Sequence, residues 1–337
     1  MNWFSRGGFE RSLERLWYGE SAIGWVLQPF AVVFRMMVAL RVQAYHSGIF
    51  GRERIPVPVI VVGNITVGGT GKTPIVSWLA TQLSDSGRKP GIVSRGYGTS
   101  VRSRLVMVTG KSSYQDVGDE PLVLARQTGA PICIGVDRVA AVRHLVGEAD
   151  VDVVIADDGL QHYRMIRDFE IAVVDGQRVL GNRRMLPAGP LREPPARMDK
   201  VDVVLINGDS DYSGGYRFDL LPRQAVSLGD SQHRDLSEFG GMKVWAVAGI
   251  GNPQRFSTML EAFAINPVLV DIPDHGMVSL SALKRQQPWP ILMTEKDAVK
   301  YLDNPSDDTW YVPVVVQMSE PTEASIMKKI HSAISND

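Results

Sequence analysis

Only one cysteine, Cys133, occurs in the 337 residues. That excludes an intramolecular disulfide framework and a cysteine-rich zinc site, and it fits a reducing compartment. A surplus of one charge is missing too: 36 lysines and arginines against 37 aspartates and glutamates leave a formal charge of −1. A global polyanion-binding surface, and with it a nucleic-acid partner, is therefore not expected. No internal repeat or low-complexity tract occurs, which removes solenoid and fibrous architectures. What is there is ordinary globular composition, 44% apolar and 22% charged. The chain is long enough for two domains of roughly 150 residues each.

The amino end lacks the form of a cleavable signal, because Arg6, Glu10, Arg11, Glu14 and Arg15 interrupt its apolar positions. From Ser21 through Leu40 the only charge is Arg35. That run approaches the roughly 20 residues a spanning helix needs, but Gln28, Pro29 and Arg35 lie near its middle. At about 100° per residue, Ser21, Gln28, Arg35, Gln43 and His46 share one narrow stripe, with Arg41 the exception. A wide apolar arc with a thin polar seam predicts a helix lying in a membrane interface, with Arg35, Arg41, Arg52 and Arg54 meeting anionic headgroups. Burial of the same helix against the body, polar stripe outward, is the competing reading.

From residue 57 short apolar runs alternate with amphipathic stretches. Strands are predicted at 57–62, 91–94, 105–108, 132–134, 151–156, 171–174 and 201–206, with helices at 73–86, 120–128 and 137–147. Such alternation predicts a mainly parallel sheet with helices on both faces. A polar stretch over 207–215 reads as a linker. Beyond it, strands at 243–248, 267–270, 290–293 and 311–316 and helices at 253–264, 278–286 and 320–334 suggest a smaller α/β domain. The predicted division is an apolar helical segment at 1–50, a phosphate-loop domain at 51–215 and a smaller domain at 216–337.

The most specific feature is Val59-Ile-Val-Val-Gly-Asn-Ile-Thr-Val-Gly-Gly-Thr-Gly-Lys-Thr73, a strand, a glycine loop and a helix start. In that context main-chain N–H groups turn onto phosphate oxygens, so Thr66, Val67, Gly68, Gly69, Thr70, Gly71, Lys72 and Thr73 are the candidate ATP cradle. Lys72 adds positive charge and Thr73 offers a hydroxyl to Mg²⁺. Thr66 stands where the usual pattern has its first glycine. The Gly-Gly-x-Gly-Lys-Thr form looks like the loop of ParA/MinD-like switch ATPases, a rival class, but Val67 replaces the lysine that branch often carries there.

A second feature is the strand Val151-Asp-Val-Val-Ile-Ala-Asp157-Asp158, which ends in two carboxylates. At a strand's carboxyl end beside a phosphate loop such groups hold Mg²⁺, directly or through water. The pattern leaves open which of Asp157 and Asp158 dominates.

Together, Gly63-Asn-Ile-Thr-Val-Gly-Gly-Thr-Gly-Lys-Thr-Pro74 and Asp157-Asp-Gly-Leu-Gln-His162 resemble the tetraacyldisaccharide 4′-kinase family. Further stretches agree: Ser94-Arg-Gly-Tyr-Gly98, Val117-Gly-Asp-Glu-Pro121, Gly189-Pro-Leu-Arg-Glu-Pro194 and Thr294-Glu-Lys-Asp-Ala-Val-Lys300. The resemblance implies a P-loop kinase that uses ATP and Mg²⁺ to phosphorylate the 4′-hydroxyl of an acylated glucosamine disaccharide 1-phosphate, giving the lipid A precursor lipid IVA. It implies a peripheral or monotopic protein on the cytoplasmic face of the inner membrane. It also implies Asp119 as catalytic base and His275 as its assistant, although Gly276 stands where many relatives have a second histidine. By the same resemblance Arg138, Gln161, Arg192 and Glu193 lie near the phosphates or the headgroup, and Tyr97 near the nucleotide or the substrate mouth. Taken on their own, Asp119 reads equally as a helix cap, Arg138 as a solvated helix face, and Arg192–Glu193 as a surface ion pair. No chemical role attaches to Thr294–Lys300.

Overall fold

Runs of β-branched and aliphatic residues build the strands of a large sheet, the central ones buried on both faces. They are β1 (Val59–Gly63), β2 (Pro90–Ser94), β3 (Val106–Val108), β4 (Ile132–Ile134), β5 (Val153–Asp157), β6 (Phe169–Asp175), β7 (Val203–Asn207) and β8 (Tyr216–Pro222). A smaller sheet follows, with β9 (Ala225–Ser227), β10 (His233–Arg234), β11 (Lys243–Val247), β12 (Asn266–Val270), β13 (Ile291–Thr294) and β14 (Thr309–Val312). The chain then returns to the large sheet as β15 (Val314–Gln317). This computed structural model describes residues 16–19, 23–96, 104–270, 272 and 276–335. The helices used below are α1 (Gln28–His46), α2 (Lys72–Asp85), α3 (Asp119–Thr128), α4 (Arg138–Glu148), α5 (Pro253–Glu261), α6 (Leu280–Gln286) and α7 (Glu320–Ile334).

The large sheet runs β15-β8-β7-β6-β1-β5-β2-β4-β3. Its pairs are parallel except the two edges, β3 on β4 and β15 on β8. Side chains along a strand alternate faces, and β1 shows the result. Ile60 and Val62 enter one core with Ile75, Leu79 and Leu83 of α2, Leu122 of α3 and Ile326 and Ile330 of α7. Val59 and Val61 enter the other with Val139, Val142 and Leu145 of α4. Helices thus cover both faces, as the βαβ pattern requires. Parallel register then sets the ends of neighbouring strands side by side: Val62 lies opposite Asp157.

Three local expectations change. The amino-terminal apolar run is not one helix over 21–46; a turn at Leu27 separates Ile23–Val26 from α1, with Pro29 in the first turn of α1. The 311–316 run is two strands in different sheets, divided by Pro313, which has no N–H to donate to a ladder. A division at 215/216 does not follow the sheets either, because β8, β15 and α7 all belong to the large one. The small sheet is inserted between β8 and β15.

Candidate active site

The phosphate loop follows β1 without a break. Gly68 (φ 106°) and Gly71 (φ 95°) take left-handed conformations in which a side chain would be strained. Gly71 is also the N-cap of α2, so the first-turn N–H groups, which have no intrahelical partner, point into the loop with the positive end of the helix dipole. Two neighbours hold this shape. On one side, Val67 N donates to Pro190 O (2.8 Å), Arg192 N donates to Ile65 O (2.7 Å), and Thr66 bridges to Leu191. On the other, Asn207 Nδ2 donates to Thr70 O at 3.2 Å. Thr70 Oγ1 and Asn64 Oδ1 are buried without a partner among the described residues. Thr66 through Thr73 therefore form a braced turn with open donors, the geometry of an anion cradle.

At the end of β5 two adjacent carboxylates differ in character. Asp157 is 2% exposed and its Oδ2 accepts from Ser94 Oγ at 3.0 Å. Burial, with the charges of Glu120 and Asp158, pushes its carboxyl up to about 7. Asp158 sits at a positive φ of 49°. Burial would raise it as well, but Lys72 at 3.6 Å and Arg192 at 3.1 Å outweigh that and hold it at about 2. Asp158 is thus paired with two cations, whereas Asp157 feels Lys72 only as the lesser effect against its burial. Thr73, Asp157 and Asp158 are hard oxygen donors suited to Mg²⁺. No cluster of three or more His, Cys, Asp or Glu that would cage a metal occurs among the described residues.

Arg138, at the start of α4, is 2% exposed, so it is not a solvated helix face. One guanidinium nitrogen donates to Gly135 O, while Nε and Nη2 are buried without a partner among the described residues. Burial lowers it to about 10, against the pull of Asp157 and Asp158. A buried cation with two unused donors calls for an anion. Burial, with the Arg138 charge, also drives His162 down to about 4, leaving it neutral near neutral pH.

Arg192 and Glu193 do not pair with each other. Arg192 Nη1 donates to Asp158 and, at 3.4 Å, to Gln161 Oε1. Glu193 is buried and accepts from Gln161 Nε2 (2.7 Å) and from the Tyr163 hydroxyl, with Arg197 Nε at 3.4 Å. Gln161 Nε2 also donates to Asn64 O at 3.1 Å. Glu193 thus locks Gln161 against the flank of the phosphate loop.

Asp119 is the first residue of α3 and is buried, and the N-cap position belongs to Gly118 instead. Its Oδ1 accepts from Glu120 N at 2.9 Å, and Lys300 Nζ lies 3.6 Å from its Oδ2. His275 and Tyr97 lie outside the described residues.

Sequence reasoning missed several members of this site. Ser94 orients Asp157; Arg255 Nη2 donates to Asn207 Oδ1 at 2.7 Å. The Ala248–Asn252 loop of the small sheet lies against the phosphate loop so closely that a Cβ on Gly251 would fall 2.5 Å from Gly69 N. The glycine of Gly-Asn-Pro, just before α5, was the one local signal of that close approach.

The sequence model of the family described as tetraacyldisaccharide-1-P 4′-kinase matches residues 23–331. The tetraacyldisaccharide 4′-kinase of Methylobacillus flagellatus is 43% identical over 325 residues, covering 96% of each chain. That of Pseudomonas fluorescens is 45% identical over 307 residues, 90% of this chain and 91% of its own. Among solved structures, LpxK from Aquifex aeolicus, crystallised in complex with ATP, superposes with a TM-score of 0.75 at 25% identity, covering 93% of this chain and 99% of that one. On these matches, which span the phosphate loop, the acidic strand end and the small sheet alike, the chain belongs to the tetraacyldisaccharide-1-phosphate 4′-kinase family.

Proposed function

We propose that the protein transfers the γ-phosphoryl group of ATP to the 4′-hydroxyl of a tetraacylated glucosamine disaccharide 1-phosphate, giving lipid IVA. One observation carries the mechanism: a braced anion cradle, a pair of carboxylates and a separate buried carboxylate, Asp119, meet at one end of the parallel sheet. Glu120, next to Asp119, already acts electrostatically on Asp157.

Phosphoryl transfer asks for positioning and charge neutralisation more than for covalent help from the protein. The amides of residues 68–73 and Lys72 take the β- and γ-phosphates, while Val67 N stays with Pro190 O. Thr73, Asp157 and Asp158 would hold Mg²⁺, whose charge would offset that of the β- and γ-phosphates. Asp119, assisted by His275, accepts the proton of the sugar hydroxyl as its oxygen bonds to the γ-phosphorus and the bond to the ADP oxygen breaks. A positioned base of this kind is worth about 10²–10⁴ in rate. Arg138, with two donors unpartnered among the described residues, and Arg192 neutralise transferred charge or take the substrate's own phosphate.

The substrate's acyl chains favour delivery of the site to a bilayer surface. On α1, Phe34 and Val38 pack toward the core, while Phe30, Met36, Met37 and Leu40, with Trp25 before it, face solvent. Trp25 is 69% and Leu40 68% exposed. A groove of about 480 Å³ beside the helix is lined by Val38, Ala39 and Val42, by Arg35, Arg52 and Lys200, and by Arg197 paired with Glu170 and Glu193. Apolar surface beside cations suits a phosphorylated amphiphile. Among the described residues no helix is long and apolar enough to cross a membrane. We place α1 in the interface at the cytoplasmic face of the inner membrane.

The deciding experiment supplies purified protein with Mg²⁺, γ-labelled ATP and the disaccharide lipid. Label on the lipid supports the reading. Free phosphate without labelled lipid points instead to a nucleotide-switch ATPase, the class that Val67 disfavours.

A further inference from the structure

Thr294–Lys300 has no part in the transfer chemistry described so far, yet it ends in an ammonium whose side chain is 1% exposed. Lys300 Nζ donates to Asp297 Oδ1 at 2.8 Å and to Gly276 O at 3.1 Å, and it lies 3.6 Å from Asp119 Oδ2. An ammonium has three protons, and here it faces oxygens from three separate segments. Asp119 begins α3 on the large sheet, Gly276 follows β12, and Asp297 lies in the short helix Glu295–Ala298 after β13. Asp297 is itself locked: its Oδ2 accepts from Thr294 Oγ1 at 2.6 Å and from Gly249 N at 2.8 Å. Gly249 belongs to the loop that lies on Gly69. Two more contacts close the same seam, Lys296 Nζ to Glu120 Oε1 at 3.1 Å and Gln127 Nε2 to Glu295 Oε2 at 2.6 Å.

Stability is a weak reason for such an arrangement, because a buried ion pair often does no better than apolar residues of the same volume. What the ammonium supplies is a fixed geometry. We propose that Lys300 is a positioning residue for the transfer step. Its ammonium holds the Asp119 carboxylate and, through the carbonyl of Gly276, the backbone next to His275 in one arrangement, formed only when the small sheet is docked on α3. The base is then set for proton transfer in the same docked state in which the 249–252 loop covers the phosphate loop. This inference rests on the reading of Asp119 as proton acceptor.

The test is a cycle of four proteins: wild type, Lys300→Met, Asp119→Asn and the double variant. For each, kcat on the lipid, ATP affinity and the thermal midpoint are measured. A reacting group misplaced by about 1 Å loses roughly 100-fold, so Lys300→Met is expected to lower kcat about that much with ATP affinity retained. In the Asp119→Asn background it is expected to lower kcat no further. A kcat near wild type in Lys300→Met, or a second full loss on top of Asp119→Asn, overturns the proposal. If Asp119→Asn alone keeps kcat, the proton-acceptor reading fails first and this inference falls with it. Lys296→Met cuts another contact across the seam and is expected to stay within about twofold; a loss matching Lys300→Met would show that docking alone matters, against the proposal. Should Lys300→Met not fold, Asp297→Asn weakens the anchor while keeping the ammonium. It is expected to lower kcat with ATP affinity retained, and an unchanged kcat there overturns the proposal.

Discussion

Replacing Asn207 with alanine separates two jobs that one buried amide performs. Its Nδ2 ties the carbonyl of Thr70 at 3.2 Å, and its Oδ1 accepts from Arg255 at 2.7 Å. A neutral hydrogen bond contributes about 1 kcal/mol net and one to a charged group about 1.5–3 kcal/mol. Arg255 keeps its bond to the Asn207 carbonyl (3.1 Å) and its approach to Asp175 (3.6 Å), so the loss is reduced to about 2–3 kcal/mol. At roughly 2–4 °C per kcal/mol for a chain of this class, the thermal midpoint should fall by about 5–10 °C. Freeing Thr70 also loosens the cradle, and ATP binding measured calorimetrically should weaken about fivefold, the equivalent of one lost neutral bond of about 1 kcal/mol. A lowered midpoint with unchanged ATP affinity would refute the tether to the phosphate loop. The same amide limits its neighbour, since a Cβ on Gly71 would fall 2.6 Å from Asn207 Nδ2. Gly71→Ala should therefore be milder in the Asn207→Ala background, yet still carry about 1–2 kcal/mol of left-handed strain.

Arg138→Met removes a buried cation with two unused donors; the thermal midpoint is expected to hold or rise while kcat/KM falls about 100-fold or more, and retained activity would contradict the anion-binding reading. Asp157 titrates higher folded, at about 7, than unfolded, at about 3.9, so its contribution to ligand-free stability falls as pH rises from about 4 to about 7. His162, lowered by burial to about 4 from about 6.5, acts in the opposite sense over most of that window. The midpoint of Asp157→Asn should thus climb more steeply than that of wild type between about pH 4 and pH 6.5; parallel curves would remove the raised carboxyl. Phe30→Ser with Leu40→Ser should cut vesicle binding at least about tenfold, since each exposed side chain offers about 2 kcal/mol of apolar transfer. Turnover on bilayer-embedded substrate should fall with it and turnover on detergent-dispersed substrate should not; equal losses would move α1 away from the bilayer.

The phosphate loop and the acidic strand end were legible because each is a local pattern, a glycine turn or a strand terminus read within a dozen residues. What distinguishes Asp157 from Asp158 was not, because Ser94 and Arg192 arrive from distant strands and loops. Glu193 read as a surface charge, and only the approach of Tyr163, Gln161 and Arg197 explains its burial. The strands of the large sheet before residue 208 stood out as apolar runs. Tyr216–Pro222 did not, since it mixes Arg217 and Asp219 into a half-exposed strand near the sheet edge. Pro313 marked a break, but nothing local says that Val314–Gln317 crosses to the other sheet.

Because the small sheet is inserted between β8 and β15, its entrance and exit are neighbours: Pro222 and Val314 are register partners on adjacent antiparallel strands. A two-residue Asn-Gly hairpin suits the joining of such ends. A chain shortened in this way keeps the nucleotide cradle and the closing helix α7 but sheds Arg255, Lys300 and the 249–252 loop. It offers a route to a minimal nucleotide-binding half, in which Asn207 would have to hold Thr70 without Arg255 behind it.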